Sequence, residues 1–245
     1  LHHGLLKRGR KPGIMLILAL DTTSRIASAA LCRDGAILAE CEKDSQMNHS
    51  KTILPLVEQM LKDKQIKMSE IDVFAAAVGP GSFTGVRIGI AAIKGYAWAL
   101  QKPCAGVSTL KAAAYSAIDH EGTLCAVVKA RADEFFYAIY ENKNGTLKTI
   151  FEDAVESAAE ILEKLSGFKT PVTLCGDGAE DFLTFCEKKE GLKVSDSGCR
   201  QNARAVALCA DLLAKENKLI SANELTPSYL RLSQAEQMKQ KGLIK

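Results

Sequence analysis

Met15-Leu-Ile-Leu-Ala-Leu-Asp-Thr-Thr-Ser24 opens the part of the chain that decides the fold. Its first six residues form a continuous apolar run, with the length and composition of a buried central strand. A Thr-Thr-Ser turn leads into a second apolar run over 26–32. Asp34-Gly35 is a strong hairpin signal, and 36–42 leaves it as a third strand. Ile53, Leu54, Leu56, Val57, Met60 and Leu61 then recur at helical spacing, with Pro55 tolerable only near the first turn. A strand over 72–78, a helix over 84–100, a short strand over 104–107 and a helix through Tyr115 complete the first half.

The second half repeats that order. Strands are expected over 123–129 and 135–141, and Asn144-Gly145 turns the chain into a third over 146–151. Helix 157–165, strand 171–175, helix 179–189, strand 192–194 and helix 202–216 follow. Three strands, then helix, strand, helix, strand, helix, occur twice without visible sequence identity. Such a duplication predicts an α/β protein with two ribonuclease-H-like lobes and a cleft between them. The first lobe is read as 15–118, the second as 119–225, and 226–245 as a tail that packs back on the first.

Composition narrows the function classes. The chain has 245 residues, 47% hydrophobic and 25% charged, as in an ordinary globular protein. Its net charge of +3 comes from Lys7, Arg8, Arg10 and Lys11; without them the remainder carries −1. A nucleic-acid surface needs cations spread over a folded face, which this pattern does not supply. Residues 1–14 are read as a leader outside the domain. The apolar run after it ends at Asp21, too short for a signal peptide, and Arg87 and Lys94 interrupt the best candidate for a membrane span. Eight cysteines without a Cys-x-x-Cys pair read as reduced thiols of a cytoplasmic protein.

Four stretches are candidates for chemistry. Asp21-Thr22-Thr23 follows the first strand, where an Asp can hold a cation and hydroxyls can donate to phosphate; the alternative is a Ser/Thr turn. Gly176-Asp177-Gly178 leaves a strand and enters a helix. It reads either as a glycine pair that admits a purine or as a turn with Asp177 as helix cap. Gly79-Pro-Gly-Ser-Phe-Thr-Gly-Val-Arg-Ile-Gly89 lacks a P-loop ending, a dinucleotide fingerprint and a nucleophile elbow. Ser82 or Thr84 can cap its helix, but Gly85, Gly89 and Gly95 inside that helix each cost about 1 kcal/mol relative to Ala. With Ala92 and Ala99 they form a small-residue face that lets another helix approach, either within the chain or from a partner. Ser50, Leu54 and Val57 of the preceding helix extend that surface toward a partner. On this reading Gly89→Leu leaves the monomer folded and blocks association. His49-Ser50 reads as a helix start with Ser50 as cap, since adjacent residues there do not face each other.

Ile17–Ser24, His49-Ser50 with Leu54-Pro55, Gly79–Gly89, Gly106-Val-Ser-Thr-Leu110 and Pro227-Ser-Tyr-Leu-Arg231 together resemble the TsaB (YeaZ) family, over nearly the whole chain from Met15 to about Glu236. The Gly79–Gly89 stretch is highly specific to it. The resemblance implies an actin-like ATPase architecture in a protein that has lost catalysis. It implies a scaffold or activator of TsaD, which threonylcarbamoylates the adenosine beside the anticodon of tRNA. TsaE is a further implied partner, with a homodimer in isolation and tRNA met only through the complex. No cofactor is required on this reading, beyond weak ATP or ADP at the cleft or partner interface.

The metal-binding His-x-x-x-His of TsaD, aligned on Gly106-Val107, falls on Thr109 and Ala113, so no metal is expected. The family's Asp-Ala-Arg at the start of the second lobe is Lys129-Ala130-Arg131 here, which weakens any nucleotide chemistry in the cleft. The competing reading is an ATPase or phosphotransferase with Asp21 near Mg²⁺. A peptidase, the older label of relatives, lacks both a metal pair and a triad.

Overall fold

The computed structural model describes residues 15–45, 48–168, 171–187, 189–195 and 200–230. The leader, residues 231–245 and Cys199 lie outside them. Strands β1 (Leu16–Asp21), β2 (Ile26–Arg33) and β3 (Ala36–Asp44) form an antiparallel meander. Helix α1 (His49–Asp63), β4 (Val73–Ala77), α2 (Phe83–Leu100), β5 (Cys104–Val107) and α3 (Thr109–Ser116) follow. The order recurs with β6 (Gly122–Arg131), β7 (Glu134–Lys143), β8 (Thr146–Ser157), α4 (Ala158–Leu165), β9 (Val172–Cys175), α5 (Ala179–Phe185), β10 (Leu192–Val194) and α6 (Ala203–Lys215). The two five-stranded sheets have matching orders, β3-β2-β1-β4-β5 and β8-β7-β6-β9-β10. In each, the meander is antiparallel and the last two strands pair in parallel.

The continuous apolar run is explained by burial on both faces, as expected for a central strand. Leu16, Leu18 and Leu20 of β1 point to α1 and α2, while Ile17 and Ala19 point to α6. Thus α6, which the sequence places with the second lobe, covers the first sheet through Ala203, Ala207 and Ala210. Its small side chains let the helix lie close to the strands. Conversely α3, from the first half, covers the second sheet: Leu110, Ala113 and Ala114 pack on Leu124, Ala126 and Tyr140. The two halves exchange a helix, and α3 and α6 meet between the sheets. Helices α4 and α5 close the far side of the second sheet over Phe135 and Tyr137.

The described end of the chain straps the first lobe. Ile220 and Cys104 exchange backbone hydrogen bonds of 2.7 and 2.9 Å, and Ala222 and Leu225 are buried against the α2 side. Ser228 N donates to the Val78 carbonyl at 2.8 Å, and Tyr229 stacks on Phe83 with ring centroids 5.3 Å apart.

Several local expectations need correction. Helix α1 begins at His49, so Pro55 stands in its second turn; Pro55 and Lys51 are both exposed, and water can take the freed carbonyl. Its N-cap is Asn48, and Ser50 lies exposed within the first turn rather than capping. Strand β8 runs six residues beyond 151 because a register irregularity lets it stay paired with β7 as far as Ser157. Helix α5 stops at Phe185, after which Glu187 takes a positive φ.

Candidate functional site

The C-terminal end of β1 and the N-terminus of α2 meet in a close clasp. Ser82 caps α2, its hydroxyl accepting from Gly85 N at 3.2 Å. Ser82 N donates to the Thr23 carbonyl at 2.8 Å, and the Thr22 hydroxyl donates to the Gly85 carbonyl at 2.7 Å. The approach leaves no room for side chains. A Cβ on Gly85 would stand 2.0 Å from the Thr22 carbonyl oxygen, and one on Gly89 2.5 Å from Thr22 Oγ1. Gly81, at φ +154, would press a Cβ 2.6 Å from the Thr23 carbonyl oxygen. The glycines of the signature stretch therefore serve an internal contact. Gly85 and Gly89 are buried and face β1, which removes them from any partner surface and overturns the expectation for Gly89→Leu. Val57 leaves the interface as well, being fully buried in the first-lobe core.

The nucleotide reading changes in the same place. Asp21 is 1% exposed, and its Oδ1 accepts from Thr23 N at 2.8 Å and Thr23 Oγ1 at 2.7 Å. Both threonine hydroxyls are thus committed inside the protein and are not offered to a phosphate. Asp21 Oδ2 is buried without a hydrogen-bond partner among the described residues. Burial pushes the Asp21 pKa up to about 6, against the two Thr23 hydrogen bonds, with the charge of Asp177 adding to the rise. Asp177 follows β9 by two residues and lies near enough for its charge to reach Asp21, so the structure brings these two candidates together. Solvent reaches Asp177, yet crowding by its neighbours raises its pKa, opposed by the Gln201 amide that donates to it at 3.1 Å.

Asp177 does not cap α5. Gly178 stands at the N-cap without a side chain, and Gln201 holds Asp177 instead. Gly176 and Gly178 are needed because a Cβ on either would strike the β6 backbone, 2.3 Å from Val127 O and 2.7 Å from Lys129 N respectively. Lys129, where the family pattern has Asp, is paired with Asp181 at 2.7 Å. Thr109 and Ala113 are both buried on α3. Among the described residues, no group of three or more His, Cys, Asp or Glu is arranged to hold a metal ion. The seven described cysteines are thiols. No helix among the described residues is long and apolar enough to cross a membrane.

The outward side of α2 is the other candidate site. Ala91, Gly95, Trp98 and Ala99 are exposed, and Ala92 is half-buried beside them. Trp98 is 75% exposed, and a Cβ on Gly95 would meet nothing within 4 Å. Leu54 of the neighbouring α1 is 46% exposed, with Ser50 exposed one turn before it. At the N-terminal end of this face the Arg87 guanidinium lies 3.7 Å over the Phe83 ring, and its Nε donates to the Tyr229 hydroxyl at 2.7 Å.

Comparison with known proteins fits this architecture. Residues 42–242 match the family model of TsaD, the tRNA N6-adenosine threonylcarbamoyltransferase. The "tRNA threonylcarbamoyladenosine biosynthesis protein TsaB" of Bacillus subtilis is 32% identical over 91% of this chain and 96% of its own length. That of Escherichia coli is 34% identical over 89% and 95%. The chain belongs to the TsaB (YeaZ) family. A solved structure of YeaZ from Pseudomonas aeruginosa superimposes with a TM-score of 0.75 at 26% identity, covering 88% of this chain and all of that one. A second Pseudomonas aeruginosa structure, described as similar to peptidase YEAZ, gives 0.78 at 27% identity, covering 89% and 100%. The two-sheet α/β fold is that of YeaZ, and the duplicated element order is explained by it.

Proposed function

We propose that this chain is a non-catalytic subunit in the formation of threonylcarbamoyladenosine on tRNA, docking through the outward face of α1 and α2 onto TsaD. The observation that carries the docking is Trp98, 75% exposed on a helix whose neighbouring Gly95 lies open. A large aromatic beside small residues gives a helix-sized footing, and tryptophan is enriched among residues that dominate binding energy. Support for the pathway comes from the names of relatives that match along nearly their whole length. TsaE completes the assembly, the same face serves a homodimer in isolation, and tRNA is met through the complex. The work is cytoplasmic.

Gly95→Leu separates docking from folding. The variant is expected to gain up to ~1 kcal/mol of stability from helix propensity. It should lose binding to TsaD and to itself by about a hundredfold or more, because the new side chain holds a partner helix away. Trp98 is the single tryptophan, so its fluorescence reports burial on binding directly. Full binding by Gly95→Leu would remove this face from the interface. A tRNA modification assay with each component omitted then tests the role itself.

The enzyme reading retains one supporting observation, the unpartnered Asp21 Oδ2. Mg²⁺ is commonly held by one or two carboxylates with substrate phosphates, but here Thr22 and Thr23 hold no hydroxyl toward a phosphate. The donor set does not fit a phosphotransfer site, and no catalytic step is assigned to it. The isolated chain is expected to hydrolyse ATP only at background and to purify without stoichiometric zinc or iron. One tightly held transition metal in elemental analysis would revive the enzyme reading.

A further inference from the structure

His49 is the first residue of α1, and unlike Ser50 and Leu54 it is turned inward, 1% exposed. Its Nε2 lies 3.4 Å from the Ser45 hydroxyl. That hydroxyl already donates its one proton to the Arg25 carbonyl at 2.9 Å, so it accepts from the ring. In its neutral form the imidazole is therefore the Nε2–H tautomer. Nδ1 is then a bare acceptor, buried without a hydrogen bond among the described residues. Main-chain bonds complete the pin: Ser45 N donates to the Arg25 carbonyl at 3.2 Å, and Asn48 N to the Ser45 carbonyl at 2.7 Å. The anchor is the turn after β1. Thr22 and Thr23 of the same turn hold α2, so residues 22–25 position both helices of the docking face.

We propose that His49 is a proton-sensitive positioning residue, seating α1 for docking while its ring is neutral and releasing the first turns of the helix when Nδ1 takes a proton. The inference rests on the docking reading above and adds its regulation. Burial lowers the His49 pKa from the ordinary 6.5, and the Ser24 main chain offsets this only in part. The ring also stands at a helix N-terminus, where the main-chain dipoles disfavour a cation. The first turn holds no acidic residue to compensate, and Asn48 makes no side-chain cap. Nor does a neighbouring carboxylate serve the ring. Arg25 and Asp44 pair with each other at 3.0 Å, Asp21 is committed to Thr23, and Lys51 is exposed on α1. A folded-state pKa below the unfolded one means that stability is lost as the pH falls below 6.5. The sign is opposite to that of Asp21, whose protonation favours the fold.

Amide hydrogen exchange of the purified full chain, read by mass spectrometry at pH 7.5 and 5.5, tests the pin. After correction for intrinsic rates, protection over residues 49–57 is expected to fall about fivefold or more in acid, while α2 keeps its protection. His49→Gln, whose amide can donate to Ser45 but cannot become charged, should hold its protection at both values. Binding to TsaD should drop about fivefold more in acid for wild type than for His49→Gln. Titration of TsaD itself is common to both chains and cancels. Equal acid losses in wild type and variant, or none in wild type, overturn the proposal. Ring ¹⁵N shifts of wild type keep the test readable if His49→Gln folds poorly. A His49 ring that is the Nδ1–H tautomer, or that titrates at or above 6.5, overturns it without any variant. Protection that falls as expected, with no binding to TsaD at either pH, overturns the docking reading and leaves the pin standing.

Discussion

Gly85→Ala is expected to cost the chain about 3 kcal/mol, which for a protein of this size lowers the melting temperature by roughly 6–12 °C. The added carbon would meet the Thr22 carbonyl oxygen at 2.0 Å, a main-chain atom at the end of β1 that cannot rotate away. Helix α2 must therefore lift from the sheet, breaking the hydrogen bond from the Thr22 hydroxyl and loosening the strap at Ser228. Gly89→Ala meets a different neighbour, the Thr22 Oγ1 side-chain atom at 2.5 Å. Adding Thr22→Ala should relieve much of the Gly89→Ala defect and little of the Gly85→Ala defect. Urea denaturation of the single and double variants, read as double-mutant cycles, decides it. Equal rescue of both glycine variants, or no loss in either, would show that α2 does not sit on Thr22 as described. With the contact as described, Gly89→Leu should fold poorly or not at all.

Asp21→Asn acts in the opposite sense and depends on pH. The folded-state pKa of Asp21, about 6, lies above the ordinary 3.8, so the native state holds the proton more tightly than the unfolded chain. Ionised Asp21 therefore opposes folding in full above pH 6. The penalty fades as the pH falls from 6 toward 3.8 and is absent below that. An amide can keep the acceptor for Thr23 without burying a charge, so Asp21→Asn is expected to stabilise the chain at pH 8. The gain is on the order of 2–3 kcal/mol, from about two pKa units. Unfolding free energies of wild type and variant, measured from pH 8 to pH 4, should converge in acid. A gap that stays constant across that range would mean the Asp21 carboxyl is not destabilised by burial. The buried carboxyl therefore sacrifices stability at the point where the ends of β1 and β9 come together.

The element order was legible because apolar runs, Asp34-Gly35 and Asn144-Gly145 are local signals, each interpretable within a few residues. The direction of a helix face was not. A helical wheel gives angles within α2 but no reference to the sheet, so Gly85 and Gly89 fall on the same small-residue face as Gly95. The available clue was position: a glycine pair one turn after the cap, in a helix fed by a strand paired beside β1, must pass over the end of β1. Commitment of the Thr22 hydroxyl to Gly85 spans 63 residues and leaves no periodic trace. The destination of α6 was hidden for the same reason, since an apolar face shows that a helix is covered without naming the sheet that covers it. Arg87 stood inside the signature stretch, but its role depends on Tyr229, far along the chain.

The crossing of α3 and α6 has a consequence for how the chain is made. During synthesis the first sheet is complete by Val107, but the helix that closes its second face ends at Lys215. At translation rates of about 5–20 residues per second, roughly 5–20 s pass while that face waits for its cover. A nascent chain stalled at the end of the first lobe would expose Ile17, Ala30, Ala75 and Val107 on one apolar surface.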